Sequence, residues 1–523
     1  MPEAHPGKRG DRLVLLGLLA VTIALYLLLC NIPLYGDAWG YGYRSAVWMA
    51  DNGLQPIPAG PGRGQQAMGH PPLFFWLWAV LIAVLGNSLR VAHILPAAAT
   101  FFALWGTYRL TLLLSRCRAT AIAASAALLA TPIFLANSVN PLPDVAVAAA
   151  ATWTLLFYAR GRQAAAALTA ALAVALREQA VLLPAVLVGV ELLHGGWRRP
   201  GRLLLLASPA AVLLLNGLAY LLVNGYFFFG THLGGPETVG PGVLLERFRS
   251  FFGFLFADGW RWLPVTAAAA LAAGGRRRSS AAFVLLLLSP AVLHPPGRLL
   301  WLAVMIAAVS LWVLRWGPPA RGPAATLALP AATGLFFVLV VVISPSPLDL
   351  YRYLILAVPA VVAGSLSAVR RMGNRRLALL LGGLFAALAL GSNRSAASAA
   401  QPESNLAWVL DQQALRDAIR YAAQSGDTLL VSRLHLQKLS DPDVGYVRRP
   451  VAGRDMRAPL DRNASYTAVI GHRSPHELAL ADSVRAGHSS THAMRMDTVI
   501  RRGGFSVEVY RIAPRGPEAL SPR

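Results

Sequence analysis

Leu73-Phe74-Phe75-Trp76-Leu77-Trp78-Ala79-Val80-Leu81-Ile82-Ala83-Val84-Leu85 is an unbroken apolar run, and whether it crosses a bilayer decides the topology of everything after it. A helix crossing a membrane needs about 20 apolar residues, and this run is well short of that. Its rings Phe74, Phe75, Trp76 and Trp78 suit the headgroup level of a membrane. The run is therefore expected to re-enter the membrane face or lie along it. Counting it as a span would invert every later loop.

The chain has 523 residues, of which 56% are hydrophobic and 14% charged, a balance that excludes an ordinary soluble domain. Apolar runs at roughly 13–32, 91–114, 119–139, 144–160, 163–176, 178–193, 203–223, 262–275, 279–294, 298–315, 324–343, 353–369 and 377–392 predict an all-α polytopic membrane protein with about thirteen helices. The net charge is +23. Its arginines sit in short clusters between apolar runs: 116–118, 160–162, 198–202, 276–278, 315–321 and 370–376. That is the pattern of cytoplasmic loops, not of a nucleic-acid surface, so no nucleic-acid partner is expected. With 73–85 uncounted, one orientation satisfies every cluster, with the N-terminus cytoplasmic. The run 13–32 follows Lys8, Arg9 and Arg12 and reads as an uncleaved first span rather than a signal peptide. Cys30 and Cys117 imply no disulfide framework.

Residues 1–392 form the expected transmembrane domain, with a first outer loop over 33–90. From 393 to 523 the composition turns polar, and no run is long enough to span. Helical spacing of Leu406, Val409, Leu410, Leu415 and Ile419, and strand-like runs at 428–434, 466–472 and 506–512, predict a small C-terminal α/β domain. An odd number of spans places it outside the cytoplasm. Its histidines, His435, His472, His476, His488 and His492, match no metal-binding spacing.

The assigned orientation gathers the chemistry at one face. Asp37 follows the first span in Tyr35-Gly36-Asp37-Ala38-Trp39, among Tyr41, Tyr43 and Trp48. A carboxylate in an aromatic-walled cavity at lipid level can take a proton from an acceptor hydroxyl or amine. Asp144 ends Asn140-Pro141-Leu142-Pro143-Asp144 at the mouth of the next helix pair; an N-cap is its structural alternative. Arg177, Arg298 and Arg352 stand on the face that the charge bias leaves poor in arginine, and a guanidinium fork suits phosphate oxygens. Pairing with Glu178 or Asp349 is the plainer role for them. His70, in Gly69-His70-Pro71-Pro72 before the re-entrant run, can hold a phosphate or a carboxylate.

These residues carry a resemblance. Tyr35–Asp37 after the first span, Gly69-His70-Pro71-Pro72-Leu73-Phe74-Phe75-Trp76-Leu77, Pro143-Asp144, Leu176-Arg177-Glu178-Gln179 and Tyr351-Arg352-Tyr353-Leu354 resemble the GT-C class of polytopic glycosyltransferases. The pattern is similar to that of lipid A aminoarabinose transferases and bacterial protein-mannosyltransferase-like enzymes. The resemblance implies transfer of a sugar from a polyprenyl-phosphate donor to a lipid, glycan or protein acceptor at the outer face of a bacterial inner membrane. It implies inversion at the sugar, with Asp37 as general base and Asp144 in the same cavity. His70, Arg177, Glu178, Arg298, Arg352 and Tyr353 would bind substrate. No cofactor is required on this reading; a divalent metal is compatible with it. Ala38 stands where many relatives have a second acid, and Arg177 where a lysine is common.

A polytopic lipid or sugar transporter or flippase is the alternative. It predicts ionisable residues near mid-membrane in repeated, broken helices, whereas here they collect at helix ends and no repeat is found. A ligase fed by a diphosphate lipid would use a large late outer loop, and 224–261 is modest.

Overall fold

The computed structural model describes residues 8–57, 70–193, 196–227, 251, 254–255, 260–274, 350–372, 374–393, 406–461, 463–471, 492–502 and 505–514. The expected spans 279–294, 298–315 and 324–343 and Arg298 lie outside these residues, as does most of the loop 224–261.

The described part of residues 1–393 is helical. In chain order the helices are α1 (Lys8–Leu29), α2 (Arg44–Asp51), α3 (Leu73–Leu85), α4 (Leu89–Ala92), α5 (Ile94–Ser115), α6 (Arg118–Ala130), α7 (Pro132–Asn137), α8 (Asp144–Ala159) and α9 (Gln163–Leu176). They continue with α10 (Leu182–Leu193), α11 (Pro200–Ala207), α12 (Ala210–Asn224), α13 (Trp262–Gly274), α14 (Val358–Met372) and α15 (Arg375–Ser392). Four of the described helical stretches are long and apolar enough to cross a membrane: Arg9–Leu29, Leu89–Ser115, Leu354–Arg371 and Arg375–Ser392. A fifth arises if α11 and α12, bent by 42° at Ser208-Pro209, act as one broken span. In α1, Leu13, Leu16, Leu27 and Leu28 are 59–78% exposed, and only 6% of its most apolar window is buried. A leucine surface of that extent is stable only against lipid, so this is an integral membrane protein.

Several expected spans are interrupted. The run 119–139 breaks at Thr131-Pro132 into α6 and α7, because proline cannot donate to the preceding turn. The run 178–193 begins with a 3-10 turn, Glu178–Val181, and 353–369 with another, Leu350–Ala357. Helix α3 covers the decisive apolar run and is among the helices too short to span unaided. Three of its four named rings do not act as headgroup anchors: Phe74, Phe75 and Trp78 are 1–2% exposed and pack inward, while Trp76 is partly exposed. That corrects the expectation of an interfacial aromatic belt.

Small residues let the inner helices approach closely. Helices α5, α8 and α9 form the centre of the bundle, with α6 and α14 against α5. A Cβ added at Gly106 on α5 would come within 3.1 Å of Thr152 and Trp153 on α8. Ala148, Ala151, Ala166, Ala170 and Ala173 are at most 2% exposed along the α8–α9 seam. Helix α8 runs 16 residues from Asp144 to the arginine turn at 160–162. That is about 24 Å of rise, so Asp144 and the arginine turn at 160–162 lie at opposite ends of α8.

Residues 406–514 add α16 (Leu406–Ala422), α17 (Arg433–Ser440) and a five-stranded sheet in the order β2-β1-β3-β5-β4. The strands are β1 (Thr428–Val431), β2 (Gly453–Asp455), β3 (Tyr466–Gly471), β4 (His492–Arg502) and β5 (Phe505–Pro514). Strand β1 is parallel to β2 and β3, and β5 is antiparallel to β3 and β4. The apolar face of α16 covers β3, β4 and β5 with Ala414, Ala418, Ile419 and Ala422, each at most 1% exposed. The expected helix and strands are present. The tail of the expected strand 428–434 is instead the start of α17, and β2 and β4 were not foreseen.

Candidate active site

Asp37 is set by the exit from α1. Gly36 takes a positive φ of 53°, a conformation glycine reaches without strain, and the chain then enters a π-helical turn, Ala38–Tyr43. This wider turn buries Trp39, Tyr41 and Tyr43 against the inward face of α3; Tyr41 packs edge-on to Phe75 with ring centroids 5.6 Å apart. The Asp37 carboxylate stays 45% exposed and accepts a hydrogen bond from Nη2 of Arg352, on the 3-10 turn before α14. Asp349, the partner considered above for Arg352, lies outside the described residues. Tyr353 lies on the same turn.

Asp144 is held differently. It is the first residue of α8, behind the capping position occupied by Pro143, and its side chain makes no cap. The N-cap role is thus corrected. Its Oδ2 instead accepts from Nη1 of Arg177 at 3.3 Å, with 2% and 3% of the two side chains exposed. Arg177 ends α9 in extended conformation, which turns its side chain back toward α8.

A relay of side chains leads on from this pair. Arg177 Nε donates to Gln179 Oε1 at 3.1 Å, and Gln179 Nε2 donates to Glu178 Oε1 at 2.7 Å. Glu178 Oε2 lies 3.1 Å from His70 Nδ1. The His70 carbonyl accepts from the Tyr220 hydroxyl of α12 at 3.1 Å. Glu178 is therefore the direct partner of His70, with the Arg177 charge acting on it as well. Five residues from three distant stretches of sequence, Asp144, Arg177, Gln179, Glu178 and His70, form one connected line.

Tyr41 sits where this line meets the Asp37–Arg352 pair. Its ring lies 5.6 Å from that of His70. Its hydroxyl is within electrostatic reach of Arg177, Arg352, Asp37 and Asp144 together. Burial pushes that hydroxyl far up, so it remains a neutral donor, the two arginines only partly offsetting the effect. Four of the expected residues, Asp37, Asp144, Arg177 and Arg352, thus act on one tyrosine through their charges, with the His70 ring beside it and Glu178 behind His70. Both carboxylates are bound by arginine, and among the described residues no group of three or more His, Cys, Asp or Glu converges as a metal site.

Sequence reasoning passed over Gln179, Tyr220 and Asn140. Gln179 follows the quoted Arg-Glu pair directly, and a polar triplet at a helix junction was its signal. Asn140 is fully buried, and neither end of its amide finds a hydrogen-bond partner among the described residues. Tyr41 was visible only as one ring among several.

The C-terminal residues pack on the same end of the bundle. Leu34 N donates to Val444 O at 3.0 Å, and Arg416 Nη1 donates to Asn31 O at 3.1 Å. Asn87 Nδ2 donates to both the Tyr43 hydroxyl and Asp443 Oδ2, each at 2.9 Å. Burial pushes the Tyr43 hydroxyl up as well, and the nearby Asp441 and Asp443 add to this. Val444, Tyr446 and Val447 join the same apolar core as Leu34, Trp39 and Phe75.

No family model matches the chain, and no curated protein matches it. Among solved structures it is similar to ArnT from Cupriavidus metallidurans bound to undecaprenyl phosphate, with 16% identity and a TM-score of 0.47 over 99% of this chain and 100% of that one. It is also similar to the apo oligosaccharyltransferase of Archaeoglobus fulgidus, with 13% identity and a TM-score of 0.43 over 94% of this chain and 70% of that one. A third likeness is to the arabinofuranosyltransferase AftD from Mycobacteria, with 15% identity and a TM-score of 0.38 over 95% of this chain and 41% of that one.

Proposed function

We propose that this protein is a glycosyltransferase that moves a sugar from a polyprenyl-phosphate donor to an acceptor at the membrane surface, with inversion at the sugar. The observation that carries this reading is the convergence of two carboxylate–arginine pairs, Asp37–Arg352 and Asp144–Arg177, on the buried Tyr41 at one end of the helices. The exposed pair offers a base with access to an acceptor, and the buried pair fixes the wall opposite.

On this reading Asp37 takes the proton of the acceptor hydroxyl or amine. The acceptor atom forms its bond to C1 of the sugar while the bond from C1 to the phosphate oxygen breaks. The electron pair passes to the phosphate, which leaves as polyprenyl monophosphate. A single displacement of this kind inverts C1. Phosphate charge grows as the bond breaks, so a guanidinium beside it stabilises the transition state more than the ground state. Arg352 is the better placed of the two arginines, because its partner Asp37 is solvent-facing and can exchange that contact for water or acceptor. Binding of donor phosphate to Arg352 frees Asp37 to act as base. Arg177 keeps Asp144 in place, and His70, held by Glu178, lines the donor side. Arg298 and Tyr353 are kept as further donor contacts.

The same reading takes the chain as about thirteen spans, with 1–392 as the transferase domain and 393–523 as an extracytoplasmic domain. The N-terminus is then cytoplasmic and the membrane a bacterial inner membrane. The arginine turn at 160–162, at the end of α8 opposite Asp144, supports this sidedness. The test is transfer by the purified full chain in nanodiscs, offered a panel of farnesyl-phosphate sugars. Release of farnesyl phosphate that depends on acceptor, is present in wild type and is lost in Asp37→Asn supports the reading. Flipping of the same lipids across liposomes without any bond cleavage overturns it in favour of a transporter.

A further inference from the structure

The hydroxyl of Tyr41 is one of several buried polar atoms near the site without a partner among the described residues, with Trp39 Nε1, Trp78 Nε1 and the Asn140 amide, and it lies within electrostatic reach of both ion pairs. The side chain is 3% exposed, and its oxygen finds no hydrogen-bond partner among the described residues. A buried hydroxyl left without a partner costs about 1–3 kcal/mol, a cost that a bound ligand accepting its hydrogen bond would remove. Phenylalanine would fill the same space without that cost. Both ion pairs lie within electrostatic reach of the hydroxyl, and the ring is steadied by His70 and Phe75. The π-helical turn is what presents it, since Tyr41 and Tyr43 both belong to that turn and Tyr43 is engaged by Asn87 instead.

Resting on the glycosyl-transfer reading, we propose that the Tyr41 hydroxyl is a donor-binding group that hydrogen-bonds a non-bridging phosphate oxygen of the prenyl-phosphate, and holds that oxygen as the bond to C1 breaks. The ligand class follows from charge. Beside two arginines, the vacant acceptor position that a neutral O–H faces is that of an anion. Asp37 and Asp144 already take their hydrogen bonds from Arg352 and Arg177. No proton is transferred by Tyr41; it donates a hydrogen bond to an oxygen whose negative charge increases on departure.

The test compares wild type, Tyr41→Phe and Tyr43→Phe as full chains in nanodiscs, with farnesyl phosphate as the binding probe and melting temperature read without ligand. A hydrogen bond to a charged oxygen corresponds to about a 10- to 100-fold change in affinity. Y41F is expected to bind farnesyl phosphate that much more weakly, while its ligand-free melting temperature is equal to or above wild type. Y43F is expected to do the reverse, melting lower and binding normally. Y41F affinity within twofold of wild type overturns the proposal, and so does a lowered ligand-free melting temperature, which would assign the hydroxyl a partner inside the fold. Loss of sugar transfer in Y41F with unchanged farnesyl-phosphate affinity moves the contact to the sugar and also overturns it. If wild type itself does not bind farnesyl phosphate, the glycosyl-transfer reading falls, and this proposal falls with it.

Discussion

Asp144 and Arg177 meet at 3.3 Å with almost no solvent on either, whereas Asp37 and Arg352 meet with the carboxylate nearly half exposed. The two pairs share a chemistry and differ in environment, and this sets different costs for breaking them. Removing one partner of a buried pair leaves an uncompensated charge and costs about 3–5 kcal/mol. Asp37 is 45% exposed and Arg352 15%, so removing Asp37 leaves a guanidinium that solvent reaches in part, at a lower cost. Asp144→Ala is therefore expected to lower the melting temperature of the detergent-solubilised protein sharply, and Asp37→Ala to lower it less. Equal losses in the two variants would remove the distinction between a structural and a reactive carboxylate.

The exchange of Arg352 between Asp37 and phosphate makes a second expectation. When Asp37 is neutralised, the guanidinium no longer has to leave an anion to meet the donor. Asp37→Asn is expected to abolish transfer and yet to bind farnesyl phosphate more tightly than wild type, by roughly tenfold if the released competition is worth about 1.4 kcal/mol. Arg352→Ala is expected to lose affinity and rate together. Isothermal titration in nanodiscs reads both. Weaker binding in Asp37→Asn would mean that Asp37 helps to hold the donor and does not compete with it.

Much of this site was legible in the chain. Asp37, Asp144, Arg177 and Arg352 could be placed together because charge bias and apolar runs fix which helix ends share a face, and that argument needs no coordinates. The partners within the site could not be read. Arg177 is adjacent to Glu178 in sequence, but the extended backbone at Arg177 points consecutive side chains to different places, so Arg177 takes Asp144 and Glu178 takes His70. Tyr41 was hidden for a related reason. A π-turn shifts the facing of every residue after Asp37 relative to an α-helix, and the sequence Ala38-Trp39-Gly40-Tyr41-Gly42-Tyr43 carries no marker that separates the two. Three of the rings of α3 were misplaced because length alone shows that a helix fails to span. It does not show that neighbouring segments cover it.

Arg177 also tests whether the line from Asp144 to His70 acts as a unit. Its guanidinium serves Asp144 through Nη1 and Gln179 through Nε, a fork that a lysine ammonium cannot reproduce from one position. Arg177→Lys keeps the charge and is expected to destabilise by about 1–3 kcal/mol from the unmet buried groups. Gln179→Ala in the Arg177→Lys background is expected to add little, since the link is already broken. A double-mutant cycle on melting free energy reads this coupling. Fully additive effects would show that the line is a set of separate contacts.

The last expectation concerns the C-terminal residues and the π-turn. Asn87 bridges the Tyr43 hydroxyl and the Asp443 carboxylate, so one amide ties the turn that carries Tyr41 to the segment before β2. Leu34, two residues ahead of Gly36, is tied to Val444 by a backbone hydrogen bond. The two attachments flank Asp37 in sequence. Loss of the side-chain bridge loosens the turn on one side while the backbone tie persists, so the domain should stay attached but shift more freely. Asn87→Ala is expected to cost about 2 kcal/mol, the sum of one neutral and one charge-assisted hydrogen bond. The variant is expected to release the C-terminal residues faster under limited proteolysis between α15 and α16. Transfer should fall several-fold through the rate and not through donor affinity, because the turn then spends less time with Asp37 in register. Asp443→Asn retains an acceptor oxygen for Asn87 and is expected to behave close to wild type in both assays. Faster proteolysis with an unaltered transfer rate would show that the C-terminal residues attach to the catalytic end without positioning it.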